Sequence, residues 1–299
     1  MERRQLEYFV AIVENGGFTH AARALQVAQP SLSRAISKLE DELGVALFHR
    51  VGRNAVLSSA GELMVERARQ VLRDLDALRA AAQTVGEGAV GRVDVAATSS
   101  SALEPVISII AELRARHPGV TVSTSSALSA TEVVALVLRG RCEAGVCASA
   151  ERPAGQGLIA HHLRDEQFLL VLPPGARVGP GDGTVTPEDL RGMHFVVPHA
   201  ATAVRARFDR LAAEVGELTI AAEVGDRSVV LPMVLRGVGA ALMPDGWDYL
   251  ARRSGAAVYR FAPPIRIPQW LIHRTGPITA AARAFIDTTL GHARQPAGR

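Results

Sequence analysis

Gln29-Pro30-Ser31-Leu32-Ser33-Arg34-Ala35-Ile36-Ser37-Lys38-Leu39-Glu40 is the stretch on which the reading of this chain turns. Proline is favoured in the first turn of a helix, where its missing N–H has no partner to lose, so a helix is predicted from about Pro30 to Glu42. At 100° per residue Leu32, Ala35, Ile36 and Leu39 form one stripe, while Pro30, Ser31, Ser33, Arg34, Ser37 and Lys38 fan across the other face. That polar face carries two cations, three hydroxyls and no acid. From Asn15 to Leu39 the charges are Arg23, Arg34 and Lys38, without a carboxylate; Glu40, Asp41 and Glu42 gather at the far end, facing away from any polyanion. Residues 1–57 hold seven basic against six acidic side chains, so charge here is sorted rather than abundant.

Working outward, Leu6, Phe9, Val10 and Val13 recur at i, i+3, i+4 and i+7, which predicts a first helix ended by Asn15-Gly16-Gly17. Thr19 reads as the N-cap of a short helix through Leu25, with Ala21, Ala22 and Leu25 inward. Gln26-Val27-Ala28 separates it from the helix at Pro30. Helix, three-residue turn and a second helix with a short-side-chain polar face is the helix-turn-helix plan. Downstream, Leu47–Leu57 alternates and turns at Gly52–Asn54, predicting a two-stranded wing with Arg50 and Arg53 near its tip. A helix fits the major groove of duplex DNA, hydroxyls and arginine reach base edges or phosphates, and wing arginines can follow the backbone. The expected DNA-facing set is Thr19, Arg23, Gln29, Pro30, Ser31, Ser33, Arg34, Ser37, Lys38, Arg50 and Arg53, with Arg34 placed for base recognition. The competing reading is a small helical domain whose arginines only solvate its surface.

The ordered pattern Leu6-x-x-Phe9, Gly17-Phe18-Thr19-x-Ala21-Ala22-x-x-Leu25, Gln29-Pro30-Ser31-Leu32-Ser33-x-x-Ile36-x-x-Leu39-Glu40-x-x-Leu43-Gly44-x-x-Leu47-Phe48-x-Arg50 resembles the LysR-type transcriptional regulators, and it continues through Leu57-Ser58-x-Ala60-Gly61. One departure is Ala28, where the family commonly has serine before Gln-Pro; it removes one phosphate or cap contact. The resemblance implies an α/β chain with an N-terminal all-α winged helix-turn-helix, a long linker helix and a two-lobed effector domain similar to periplasmic binding proteins. The corresponding division is a DNA-binding domain at 1–58, a linker and dimerisation helix with hinge at 59–90, and an effector-binding domain at 91–299. Within that domain lobe I takes about 91–164 and 267–291, and lobe II about 165–266.

Ser59-x-x-Glu62 is a capping-box pattern for the long helix. Met64, Val71, Leu78 and Val85 recur every seven residues, with Ala68, Leu75 and Ala82 four after the first three. Such a narrow seam needs a partner: a second copy of the chain, or the first helix of the same chain. The resemblance implies a homodimer through this helix or a homotetramer, an interrupted inverted repeat as the site, and RNA polymerase as a further partner.

Gly86-Glu87-Gly88-Ala89-Val90-Gly91 spells G-x-G-x-x-G, but it follows a helix and precedes a strand, the reverse of a dinucleotide fingerprint, and reads as a linker. Beyond it strands and helices alternate, predicting parallel sheets with helices on both faces. The resemblance implies two crossings between lobes, near Leu163–Glu166 and Ile265–Pro268. It also matches Gly237-x-Gly239-x-x-x-x-Pro244 and departs at Glu143, where aspartate is usual. Small ligands bind beyond the carboxyl ends of such strands. Thr98-Ser99-Ser100-Ser101 stands at one end, directly before a helix, and favours an anion, with a carboxylate preferred. Ser129 and Thr131 follow the second strand, and His199 and Thr202 the first strand of the other lobe. Each of these residues reads equally well as a plain helix cap.

In 299 residues the chain has 48% hydrophobic and 21% charged residues and a formal charge of +3, too weak to announce nucleic acid by itself. Lys38 is the single lysine. Aromatics at 4% disfavour a stacking platform for single strands. The start is broken by Glu7 and Glu14 and lacks a signal peptide's apolar core, and no window spans a membrane, so a reduced cytoplasmic protein is expected. Cys142 and Cys147 lack ligand-spaced partners, and adjacent His161 and His162 would point to opposite faces of a strand. No G-x-S-x-G, H-E-x-x-H or P-loop occurs, so no enzyme activity, catalytic residue, metal or cofactor is expected beyond a small-molecule effector. Two other classes compete: a small-molecule receptor using the two-lobed part alone, and an enzyme on the same scaffold. Neither accounts for the first sixty residues.

Overall fold

The computed structural model describes residues 1–51, 54–83 and 89–294. Its first three helices are α1 (Arg3–Glu14), α2 (Phe18–Ala24) and α3 (Gln29–Leu43), followed by the hairpin β1 (Phe48–Val51) and β2 (Asn54–Leu57) and the long α4 (Ser59–Gln83). Leu6, Phe9 and Val10 of α1 are buried as the periodicity requires, and Tyr8 and Ile12 widen the stripe. They meet Leu32, Ile36 and Leu39 of α3, with Leu47, Val65 and Ala68 closing the core from the far side. Phe48 packs edge-on against Phe9 and Phe18, at 5.6 and 5.3 Å between ring centroids, and so fixes the hairpin to the helices.

Local chemistry differs from expectation at two helix starts. Thr19 is not a cap: the cap is Gly17, two residues earlier, whose φ of 144° suits only glycine, and Leu25 at the end of α2 is turned outward. Ser58, not Ser59, caps α4. Its hydroxyl accepts from the Gly61 N–H (2.9 Å) and donates to the Ala46 carbonyl (2.5 Å), tying helix start to wing base. Gly61 can only be glycine there, because a Cβ would stand 2.2 Å from the Leu47 carbonyl oxygen.

The second part begins with β3 (Gly91–Thr98), α5 (Ser99–Leu103), α6 (Val106–Arg116), β4 (Val120–Ala127), α7 (Ala130–Leu138) and β5 (Ala144–Ala148). Then come the fifteen-residue β6 (Leu158–Leu172), β7 (Thr184–Val185), β8 (His194–Pro198), α8 (Ala203–Val215) and β9 (Thr219–Val224). α9 (Val230–Leu235), β10 (Ala241–Pro244), α10 (Asp248–Arg253), β11 (Ala257–Phe261), β12 (Arg266–Arg274) and α11 (Ala280–Ala293) complete it. The order β4-β3-β5-β12-β6-β11-β7 describes one path, with β10 on the other edge of β6 and β8–β9 joined to it by a Phe195–Ala240 bridge.

Strands β3, β4 and β5 are parallel, as the alternation predicts, whereas β12 and β6 run antiparallel to their neighbours. These two are the strands that return between lobes, so they cannot share the crossover direction. The lobe I sheet is buried on both faces, by α6 and α11 on one side and α7 on the other. Lobe II is covered by α8 on one face and by α9 and α10 on the other. β6 belongs to both lobes: its first half pairs with β12, its last residues with β10 and β11. The apolar run Phe168–Leu172 is only the far end of it, because His161, His162, Arg164, Asp165 and Glu166 hide the remainder from a hydropathy reading. At the other end of β12, Arg274 donates to Gln70 of α4 and so joins the sheet to the long helix.

Candidate functional site

Two regions gather the chemistry. The first is the outer face of α3. Its helix starts at Gln29 with Pro30 in the first turn and stops at Gly44, a left-handed residue with φ 69°. Gln29, Pro30, Ser31, Arg34, Ser37 and Lys38 are exposed together on one side, with Thr19 and Arg23 of α2 beside them; Ser33 is half-buried. Arg34 folds back to donate from Nε to the Pro30 carbonyl (3.3 Å). Lys38 reaches Glu2 with Nζ 3.1 Å from Oε1, and that carboxylate raises its pKa above the usual ammonium value. Of the carboxylates at the end of α3, Glu40 accepts from the Leu47 and Phe48 N–H groups (2.7 and 3.1 Å) and holds the wing to the helix, while Glu42 pairs with the chain's amino terminus. Arg53 and the side chain of Arg50 lie outside the described residues.

The supposed seam on α4 is divided. Ala68 is buried and Met64 half-buried against α1 in the chain's own core, so their apolar surface is already used. Val71 and Leu78 are exposed and Leu75 is half-buried. Val85 and the side chain of Ala82 lie outside the described residues.

The second region is a cavity of about 280 Å³ between the lobes. Thr98 and Ser100 line it from β3 and α5, Ser129 and Ser149 from the ends of β4 and β5, and Thr202 with Arg207 and Arg210 from α8. Arg227, Arg266, Phe168 and Ile267 complete the wall. Four expected contacts fall away. Ser101 is fully buried with its hydroxyl accepting from Thr98 Oγ1 (3.0 Å), and Ser99, Thr131 and His199 do not reach the lining. His199 instead closes the turn before α8, its carbonyl accepting from the Thr202 hydroxyl (3.1 Å). α5 is a single five-residue turn with little dipole to offer, whereas Thr202 caps the thirteen-residue α8 by accepting from the Arg205 N–H (3.2 Å). Ser129 likewise caps α7.

The sequence reading missed the arginines. Arg207 and Arg210 stand one turn apart on α8, a spacing visible in Val204-Arg205-Ala206-Arg207-Phe208-Asp209-Arg210. Arg205, between them and the helix start, is neutralised by Asp209 and Glu223 (2.8 and 2.7 Å). Arg207, Arg210 and Arg266 have no ion pair among the described residues, and no carboxylate lines the cavity. Where β6 and β12 cross between lobes, Gln269 is fully buried. It donates to Glu166 Oε1 (2.9 Å) and to the Glu104 carbonyl (3.1 Å), and it accepts from Arg164 Nε (3.0 Å). Arg164 clasps Asp245 with both terminal nitrogens (2.7 and 3.2 Å). Burial outweighs the nearby guanidinium of Arg164 and pushes the Glu166 carboxyl up to about 8.

His161 and His162 do point to opposite faces: His161 meets His273 across the strands at 3.2 Å, and His162 meets Asp165 at 2.9 Å. Among the described residues no three His, Cys, Asp or Glu side chains gather as a metal site, and no helix is long and apolar enough to cross a membrane. Burial pushes the Cys147 thiol up to about 12, which leaves it unreactive.

Residues 86–294 match the LysR substrate binding domain, and residues 3–62 match the bacterial regulatory helix-turn-helix proteins of the lysR family. The chain is 28% identical over 281 residues to the HTH-type transcriptional regulator XapR of Escherichia coli (strain K12), covering 92% of this chain and 93% of that one. It is 29% identical to the regulator TfdS of Cupriavidus pinatubonensis over 298 residues, 96% of this chain and 97% of that one. In fold it resembles full-length CbnR complexed with its target DNA, at 24% identity and a TM-score of 0.69 over 98% of this chain and 100% of that one.

Proposed function

The chain belongs to the LysR family of transcriptional regulators, and from that premise we propose that it binds an interrupted inverted repeat as a homodimer or homotetramer under the control of a small anion held between its lobes. The recognition face is Ser31, Ser33, Arg34, Ser37 and Lys38 of α3, flanked by Thr19, Arg23, Gln29 and Pro30, with Arg50 and Arg53 on the wing against the backbone. A helix with small hydroxylated and cationic side chains outward and no acid until its end matches the width and charge of a major groove. The two copies meet through Val71, Leu75 and Leu78 of α4, extending toward Ala82 and Val85. The working division is 1–58 for DNA, 59–90 for the linker and 91–299 for the effector. Its function is regulatory and not catalytic, in the cytoplasm, with RNA polymerase as its partner at the promoter.

The observation that carries the effector reading is the cavity wall: hydroxyls of Thr98, Ser100, Ser129 and Thr202 from two lobes, arginines, and no carboxylate among the described residues. Such a wall favours an anion, a carboxylate or its equivalent, through charge-assisted hydrogen bonds. A gel shift of full-length protein on duplex DNA from its own upstream region tests the whole. Binding is expected to weaken steeply with salt and to exceed that on a scrambled duplex. Equal binding to both duplexes, or none at modest ionic strength, overturns the reading.

A further inference from the structure

Two of the cavity's guanidinium groups are half-buried and have no hydrogen bond or ion pair among the described residues. Arg207 is half-buried, and its Nε is sealed from solvent with no hydrogen bond. Arg227, also half-buried, is pushed below the usual guanidinium range by burial, and the only charge opposing that shift is Glu166. Burial pushes the Glu166 carboxyl up to about 8, which weakens the counter-charge it offers Arg227. The two arginines enter from different elements, Arg207 from α8 and Arg227 from the turn before α9, and each has a second arginine in the wall, Arg210 and Arg266. Leaving a partly buried cation unpaired is costly, and two such cations in one wall favour a ligand that brings negative charge to both.

Resting on the effector reading above, we propose that the ligand is a dianion: one anionic group is held by Arg207 on α8, the other by Arg227, and the Ser100 hydroxyl of the opposite lobe closes over them. A volume of about 280 Å³ is at the small end for ligand sites, which limits the skeleton between the two charges to a few carbon atoms. Two sources share this chemistry, a short dicarboxylate and a small phosphate ester. Both suit the planar fork of arginine, which binds carboxylate and phosphoryl oxygens in pairs.

The test is thermal unfolding of the full-length protein at constant ionic strength, with succinate and adipate in one arm, inorganic phosphate and glycerol phosphate in another, and acetate and butyrate as monoanions. A ligand that binds only the native state raises the melting temperature. A rise is expected in a dianion arm and not with the monoanions, and the responding arm identifies the source. Arg207→Met and Arg227→Met are each expected to weaken the responding dianion ~10–100-fold. Without any anion each should melt no lower than the wild type, since an unpaired cation has been removed. Arg191→Met, at an exposed position outside the cavity, should respond as the wild type does. Equal shifts with monoanions overturn the dianion but leave the anion reading intact. A dianion response retained in both arginine variants overturns the site, and no response in any arm overturns both; the gel shift separately decides the DNA reading.

Discussion

Glu166 shows how one side chain makes stability depend on pH. It is buried at the crossing of β6 and β12, hydrogen-bonded by Gln269, with its carboxyl pushed up to about 8. A carboxyl whose pKa is higher in the folded than in the unfolded chain contributes stability that is complete below the ordinary carboxylate range. That contribution is lost as pH rises through about 8. Between about pH 5 and 9 the wild type should therefore lose on the order of a few kcal/mol relative to Glu166→Gln. Parallel pH-dependent denaturant melts of the two proteins measure this, and parallel curves would remove the assignment. On the recognition helix, Glu2 competes with DNA for Lys38. Glu2→Gln keeps an oxygen to cap α1 but releases the ammonium, so affinity for any duplex should rise roughly two- to threefold at low salt, read by fluorescence anisotropy. Arg34→Ala should instead narrow the difference between specific and scrambled duplexes, whereas equal loss on both would make Arg34 a phosphate contact.

At the scale of elements, the joint between wing and α4 is the most constrained place in the N-terminal part. Gly61→Ala would drive a methyl group into the Leu47 carbonyl and Leu57, with an expected cost of about 2–4 kcal/mol and a collapse of DNA binding in step with the melting temperature. On α4, Leu78 is 68% exposed among the described residues. Leu78→Asp should shift the sedimentation profile toward monomer while the monomer's secondary structure survives; an unchanged profile would move the interface elsewhere. Helices α1 and α3 were legible because their apolar residues repeat with the helix period and their stops are glycine. The seam on α4 was legible only in outline, since periodicity records which residues are apolar and not which neighbour covers them; Ala68 and Met64 went to α1. The cavity was half-legible: hydroxyls at strand ends pointed to Thr98, Ser100, Ser129 and Thr202. Arg227, before α9, and Arg266, at the start of β12, are far apart in sequence and share the wall only through the fold. Thr19 was misread because any threonine before a helix looks like a cap, while the backbone at Gly17 had already begun the turn.

Across the whole molecule, β12 is the element that belongs to every part. Arg266 and Ile267 at its beginning form cavity wall, Gln269 sits in the crossing, Trp270 donates to the carbonyl of the cavity residue Ser149 (3.0 Å), and Arg274 at its end reaches Gln70 on α4. Eight steps of strand put those ends about 27 Å apart. The strand pairs with β6 along its length, with one register shift at Gln269–Trp270, and with β5 over its second half, a setting in which an extended strand resists stretching. In the proposed ligand-controlled dimer, a displacement at the cavity would be passed along this strand to α4. On that reading the signal would travel by translation of a hydrogen-bonded strand, and the lobe would keep its fold.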